Sequence, residues 1–273
     1  LWCNNNKPTD KNPTDKNPTD KNSTDKNPTD QNPTDKNPTV QTKKIAIIIG
    51  INYYNDNKIS LKGPAYDSQN IIKLLIDNYN YKKENIYILT DYTILKPTFQ
   101  NIINLFNKII HIIKPYDTLF FYFSGHGIYN ALVTYNLKLL FNFDIKNTLI
   151  NKLPKNTKLF GLIDSCHSEN EFNLPYIYSS NKWSLNNYNK PEATVCMLSA
   201  CKKNQVTNEL VFNNLQHEGL ITHLFINILR NNIDISWYEL IKQINSKIKL
   251  LGYDQSPILS SYNFFNLEDI VEL

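Results

Sequence analysis

Five short runs of apolar, β-branched and aromatic residues punctuate the chain: Ile45–Ile49, Ile86–Leu89, Leu119–Phe123, Leu159–Ile163 and Thr194–Leu198. None of them alternates apolar with polar positions. Continuous runs of that kind predict strands covered on both faces, as in a parallel sheet. Longer segments of helical period lie between and after them, near Tyr66–Asn78, Thr98–Ile113, Gly219–Arg230 and Trp237–Leu250. In the second of these, Ile102, Ile103, Phe106, Ile109, Ile110 and Ile113 share one apolar face. Strand and helix in alternation predict an α/β domain, a mostly parallel sheet sandwiched by helices. The Asn-rich stretches 170–192 and 202–216 read as long surface loops.

The texture before Lys44 is different. Residues 7–39 repeat Pro-Thr-Asp-Lys-Asn with a period of five, Ser23 standing in for one proline. Lys7, Lys11, Lys16, Lys21, Lys26 and Lys36 balance Asp10, Asp15, Asp20, Asp25, Asp30 and Asp35, so the tract carries no net charge. With almost nothing apolar to bury, it cannot offset an ordering cost of about 1–2 kcal/mol per residue. The pattern therefore predicts a disordered tail or spacer over 1–43 and a globular domain over 44–273.

Composition narrows the partners more than the fold. The 273 residues are 41% hydrophobic, enough to bury a core in the second part of the chain. Twenty-nine basic against twenty-five acidic residues give a net charge of +4, too small an excess to argue for a nucleic-acid surface. Four cysteines in a chain this long do not make a disulfide scaffold. No run reaches the roughly 18 apolar residues a membrane helix needs. Leu1-Trp2-Cys3 followed by Asn4-Asn5-Asn6 lacks the apolar middle of a signal peptide. The expectation is a soluble, cytoplasmic, monomeric protein with no nucleic-acid or membrane partner.

In parallel α/β sheets, binding and chemistry gather beyond the carboxyl ends of the strands. Two of those ends here carry a potential nucleophile and a potential base. Cys166 follows the Leu159–Ile163 run, and His126 follows Leu119–Phe123 between Gly125 and Gly127. A thiol attacks as its thiolate, and an imidazole nearby can lower its pKa and later protonate a leaving amine. The Gly127 and Cys166 amides are candidates to cradle the developing oxyanion. A buried structural cysteine and a loop histidine would be the blander account, but position at two strand ends favours the functional one. Cys196, inside its run, and Cys201, with no paired histidine, read as structural. No Cys-x2-Cys or His-x3-His spacing supports zinc, and no metal ligand set is expected.

Phe123-Ser124-Gly125-His126-Gly127 and Asp164-Ser165-Cys166-His167-Ser168 resemble the two active-site motifs of metacaspases, caspase-fold cysteine peptidases. Ala46–Tyr54, Leu61-Lys62-Gly63 with Asp67, Leu174-Pro175-Tyr176, Leu198–Lys202 with Gln205, and Gln255-Ser256-Pro257 follow the same family order. The resemblance runs from Lys44 to Ser261. It implies a large-subunit-like part over 44–180 and a small-subunit-like part over 190–273. It also implies Cys166 as nucleophile, His126 as general base and acid, and a pocket containing Asp67, Ser124 and Asp164. Two carboxylates in a narrow pocket favour Lys or Arg before the scissile bond. Lys182, Lys190, Lys202 and Lys203 then become candidate self-processing sites.

The departures from the family are specific. Pro64 stands where a pocket cysteine is usual, and Ile128–Leu140 contains no Asp or Glu in place of an acidic insertion. Asn147, Thr148 and Asn173 replace the acids that build the family's calcium site, so no cofactor is certain and calcium activation is doubtful. Those losses motivate an alternative, a catalytically weak or inactive caspase-fold regulatory protein. A legumain- or gingipain-like peptidase shares the His and Cys logic, but the Asp-Ser-Cys-His-Ser string and Asp67 favour the metacaspase side.

Overall fold

The computed structural model describes residues 42–169, 171–179, 182–185, 192–202, 204–205, 207–211 and 216–273. Except for Thr42 and Lys43, the expected repeat tail lies outside the described residues, as do Cys3, Lys190 and Lys203. All five predicted strands form: β1 (Lys44–Gly50), β2 (Ile86–Thr90), β3 (Thr118–Ser124), β7 (Lys158–Asp164) and β10 (Thr194–Ser199). So do the four predicted helices, α1 (Pro64–Tyr79), α2 (Phe99–Ile112), α4 (Leu220–Asn231) and α5 (Trp237–Leu250).

An eight-stranded sheet runs in the order β2-β1-β3-β7-β10-β13-β8-β9, where β8 is Tyr176–Ser179, β9 Lys182–Leu185 and β13 Ile258–Ser261. The first five are mutually parallel; β13, β8 and β9 add on antiparallel. Alternate residues of each central strand face opposite layers. Ala46, Ile48, Phe120 and Tyr122 pack with α1, α4 and α5, whereas Ile45, Ile47, Ile49, Phe121 and Phe123 pack with α2 and the short helix α3 (Asn142–Thr148). Burial on both sides explains why the sequence runs are continuous. Thr98 caps α2 by accepting from Asn101 N at 3.3 Å, and Ser236 caps α5 by accepting from Glu239 N at 3.2 Å. Pro64 opens α1, where its fixed φ suits the first turn.

Two expected loops are not loops throughout. The 170–192 stretch contains the β8–β9 hairpin, and 202–216 leads into a second hairpin, β11 (Glu209–Val211) with β12 (His217–Gly219). A further small sheet, β4 (Gly127–Ile128), β5 (Ala131–Val133) and β6 (Leu139–Phe141), follows the histidine. These strands are two to four residues long. They owe their state to cross-strand pairing, which no local period reveals.

Candidate active site

The β3–β7 register pairs Ser124 with Asp164, and β1 pairs Gly50 with Ser124, so three strands end level. Gly125 N donates to Asp164 O at 3.3 Å, carrying the stitching one residue past the strands. His126 and Cys166 therefore follow adjacent strand ends, a neighbourhood the strand pattern alone did not specify. Gly127 lies so close to the nucleophile turn that a Cβ there would sit 2.3 Å from the Cys166 carbonyl oxygen. Only glycine fits that approach.

His126 is held from three sides. Its Nε2 lies 2.6 Å from the Ile59 carbonyl oxygen, its backbone N donates to Tyr53 Oη at 2.9 Å, and its ring packs 4.7 Å from that of Tyr53. A carbonyl can only accept, so the contact assigns the proton of the neutral ring to Nε2 and leaves Nδ1 as the basic nitrogen. Tyr53 itself takes a left-handed φ of 56° and is secured by donating its hydroxyl to Val133 O at 2.7 Å. The Val133 N–H bonds the His126 carbonyl, which makes Gly127 and Leu132 a pair whose amides do not face each other across β4 and β5. The Gly127 N–H is thus free of that ladder.

Cys166 is half-buried. Its sulfur accepts from Thr207 N at 3.4 Å and lies 3.8 Å from Thr207 Oγ1. The next residue, His167, has φ 57° and donates its N–H to Gln205 O at 3.1 Å. Cys201, fully buried, donates to Ser165 O and Gln205 O at 3.5 and 3.2 Å, and burial pushes its thiol up to about 11. Gln205 Oε1 in turn accepts from Lys202 N and Ser256 N, and Gln255 joins Asn208 N to Ala200 O. Among the described residues no hydrogen bond joins Cys166 to His126; each is held by its own loop.

Beside this pair lies a buried acidic pocket. Asp67, at the start of α1, and Asp164, at the end of β7, are 1% and 4% exposed. Gly219 N donates to Asp67 Oδ2 at 2.8 Å, and Thr222 donates both its N–H and its hydroxyl to Asp164 Oδ2 at 3.2 and 2.7 Å. Asp67 Oδ1 has no partner among the described residues. Burial, and next the charge of Asp164, push the Asp67 carboxyl well above the usual range; burial, opposed by Thr222, pushes Asp164 up to about 6. Ser124 is buried, and on the same strand the Tyr122 hydroxyl meets Thr222 Oγ1 at 3.0 Å.

The sequence reading missed two acids. Glu209 and Glu218, on the β11–β12 hairpin, both add to the repulsion felt by Asp67. Glu209 accepts from Gly63 N at 2.9 Å, tying the hairpin to the start of α1. His217 Nδ1 lies 3.4 Å from Glu209 and His223 Nδ1 2.7 Å from Glu218; no Lys or Arg pairs with any of the four acids among the described residues. Gly219 was the available signal, because a Cβ there would sit 2.2 Å from Asp164 Oδ2 in a chain with only seven glycines.

The calcium positions do not fit calcium. Thr148 Oγ1 donates to the Asp144 carbonyl at 2.5 Å, Asn147 Oδ1 accepts from Asn151 at 3.4 Å, and Asp144 Oδ2 caps α3 through Phe141 N. Asn173 sits in a left-handed turn beyond the nucleophile. Calcium takes six to eight oxygens, usually several carboxylates, and Asn147, Thr148 and Asn173 bring only neutral donors. Among the described residues no three His, Cys, Asp or Glu side chains converge on a metal position.

The caspase domain profile matches residues 43–267. The chain belongs to the caspase-domain family. It is 35% identical over 158 residues to metacaspase-1 of Cryptococcus neoformans, covering 50% of this chain and 34% of that protein. Metacaspase-1 of Plasmodium falciparum is 28% identical over 84% of this chain and 43% of its own length. The chain thus spans well under half the length of these relatives. Among solved structures, protein GSU0716 from Geobacter sulfurreducens superposes with a TM-score of 0.61 at 16% identity, over 82% of this chain and 95% of that one. The family and its metacaspase relatives bear out the resemblance and make this a cysteine-peptidase-like domain. Among the described residues no helix is long and apolar enough to cross a membrane.

One buried acid outside the pocket yields a stability prediction. Glu171, in the loop after the nucleophile, is 1% exposed, its Oε2 lacks a partner among the described residues, and burial pushes its carboxyl up to about 8. A carboxyl raised above its unfolded value of about 4.3 stabilises the fold below that pH and loses the contribution as pH rises through the folded value. The penalty at high pH is of order a few kcal/mol. Glu171→Gln should therefore melt several degrees above wild type near pH 9 and close to it near pH 4. A thermal-melt series over that range checks it; a difference independent of pH would refute it.

Proposed function

We propose that residues 44–273 form a cysteine endopeptidase that cleaves after Lys or Arg, with a large-subunit-like part over 44–180 and a small-subunit-like part over 190–273. The observation that carries the reading is the buried Asp67–Asp164 pair, unneutralised by any Lys or Arg among the described residues, beside the level ends of β3 and β7. Buried carboxylates without a cation are costly, and a lysine or arginine side chain of a substrate supplies the missing charge.

In this mechanism the Cys166 thiolate attacks the carbonyl carbon of the scissile bond. The negative charge that develops on the carbonyl oxygen is taken by the Gly127 and Cys166 N–H groups. The protonated His126 Nδ1 gives its proton to the leaving amine as the C–N bond breaks, leaving a thioester on Cys166. His126 Nδ1 then removes a proton from water, whose oxygen attacks the thioester carbon; the thiolate leaves and the carboxylate product departs. Ile59 O keeps the ring oriented through Nε2 during both steps. Ser124, paired with Asp164 in the β3–β7 register, completes the floor of the pocket. No step needs calcium.

Coumarylamide peptides ending in Lys, Arg, Asp or Ala test the reading with the purified chain. Release after Lys and Arg is expected to exceed that after Asp by about 100-fold or more, as expected from a buried charge pair. The rate should be unchanged in a calcium chelator. Cleavage after Asp, or no cleavage of any peptide, would overturn the proposal, and the second result would favour the regulatory alternative. Lys182, exposed at the start of β9, and the half-buried Lys202 remain candidate self-processing sites, to be read from the fragments formed by the pure protein.

A further inference from the structure

On the other side of His126 from the acidic pocket lies a second cavity, of about 320 Å³. Tyr53, Ile59, Tyr135 and Leu137 line it, and Asp56 is its only charged wall residue. Tyr53 and Ile59 are the two residues that hold the imidazole. The acidic pair and this cavity belong to opposite layers of the fold. Asp67 is carried on α1, whose apolar face packs with α4 and α5, whereas Tyr53, Ile59 and Tyr135 pack with the cluster that includes α2 and α3. His126 and Cys166 stand at the sheet rim between them.

We infer that this cavity is the subsite for the residue following the scissile bond, and that it takes an apolar or aromatic side chain. The inference rests on the peptidase reading and extends it. His126 must reach the leaving amine, so the chain beyond that nitrogen lies on the histidine's side of the site. With the preceding Lys or Arg anchored in the acidic pocket, the next side chain is directed across the rim. The cavity is at the small end of the roughly 300–1,000 Å³ usual for binding pockets, a volume suited to one large side chain. Two tyrosine rings, an isoleucine and a leucine make up its apolar walls, beside the uncharged amides Asn55 and Asn136, and Tyr135 is fixed by a hydrogen bond from Asn55 Nδ2. Asp56 opposes an acidic occupant.

Leu137 is the position at which to test this. It is 52% exposed and holds a left-handed φ of 60°, a conformation that Asp tolerates better than Leu, so Leu137→Asp is compatible with the fold. The probes are internally quenched peptides with Lys before the scissile bond and Phe, Leu, Gly, Lys or Asp after it. A coumarylamide of the same leading sequence, which has no residue beyond the bond, normalises each protein. In wild type, kcat/KM for Phe or Leu should exceed that for Gly or Asp about tenfold, the discrimination an apolar pocket supplies. In Leu137→Asp the normalised advantage of Phe over Gly should collapse towards one, and Lys should gain over Phe.

No discrimination in wild type, or the same normalised profile in both proteins, would overturn the inference while leaving the peptidase reading intact. If neither protein cleaves any probe, the peptidase reading fails, and the subsite is judged by binding. A Cys166→Ala protein should then hold the Phe peptide about tenfold more tightly than the Gly peptide by fluorescence anisotropy. Equal affinities would overturn the subsite as well.

Discussion

Replacing Cys166 with alanine lowers cleavage after Lys or Arg by about four orders of magnitude or more, leaving at most residual turnover from substrate positioning. The fold should tolerate the change. Cys166 is half-buried, and among the described residues its sulfur's hydrogen bonds are to Thr207 N and Oγ1, so truncation strands only one partly exposed amide. The melting temperature is expected to stay within a few degrees of wild type, which separates loss of chemistry from loss of structure. Iodoacetamide gives an independent readout. It should alkylate Cys166 first among the described cysteines, because Cys196 and Cys201 are buried and burial raises both of their thiols. Peptide cleavage that survives in Cys166→Ala, or alkylation that appears first at Cys201, would remove Cys166 from the nucleophile's role.

The proposed dyad was legible because Cys166 and His126 both follow strands that announce themselves. The Leu119–Phe123 and Leu159–Ile163 runs are apolar on both faces, so their carboxyl ends were fixed to within a residue, and the β3–β7 register then sets Ser124 opposite Asp164. The site's surroundings were less legible, for a physical reason. Glu209 and Glu218 enter the pocket from a hairpin of three-residue strands, whose pairing is tertiary and leaves no period in the sequence. Tyr53 and Ile59 reach His126 from the loop after β1, where nothing local requires a left-handed tyrosine or a carbonyl aimed at an imidazole. Pro64, a departure from the family motif in the sequence, is a favourable first residue of α1 in the fold. Residues set by helix and strand period were readable; those set by how loops meet were not.

Asp164→Asn should move activity and stability in opposite directions. Burial holds the Asp164 carboxyl up at about 6 and, with the charge of Asp164, holds Asp67 well above the usual range. An ammonium or guanidinium needs the ionised pocket, so in wild type kcat/KM for a Lys peptide should fall, mainly through a rising KM, as pH drops through about 6. Asparagine preserves an oxygen for the Thr222 N–H and hydroxyl but removes the charge. Cleavage after Lys is then expected to drop about 100-fold or more, and the limb near pH 6 to be lost or displaced. The stability sign is the reverse. A carboxyl whose folded pKa lies above the unfolded value of about 3.9 stabilises the fold below that pH and loses the contribution as pH rises through its folded value. At neutral pH the buried, ionised Asp164 is therefore a burden on the free protein, and Asp164→Asn should raise the melting temperature, more at pH 8 than at pH 4. A variant that keeps its Lys selectivity, or that melts lower at pH 8, would show that the pair is structural. A gain in stability with a loss of turnover is what a pocket built to be neutralised by its substrate requires, because a bound cation offsets the repulsion that otherwise favours the protonated carboxyls.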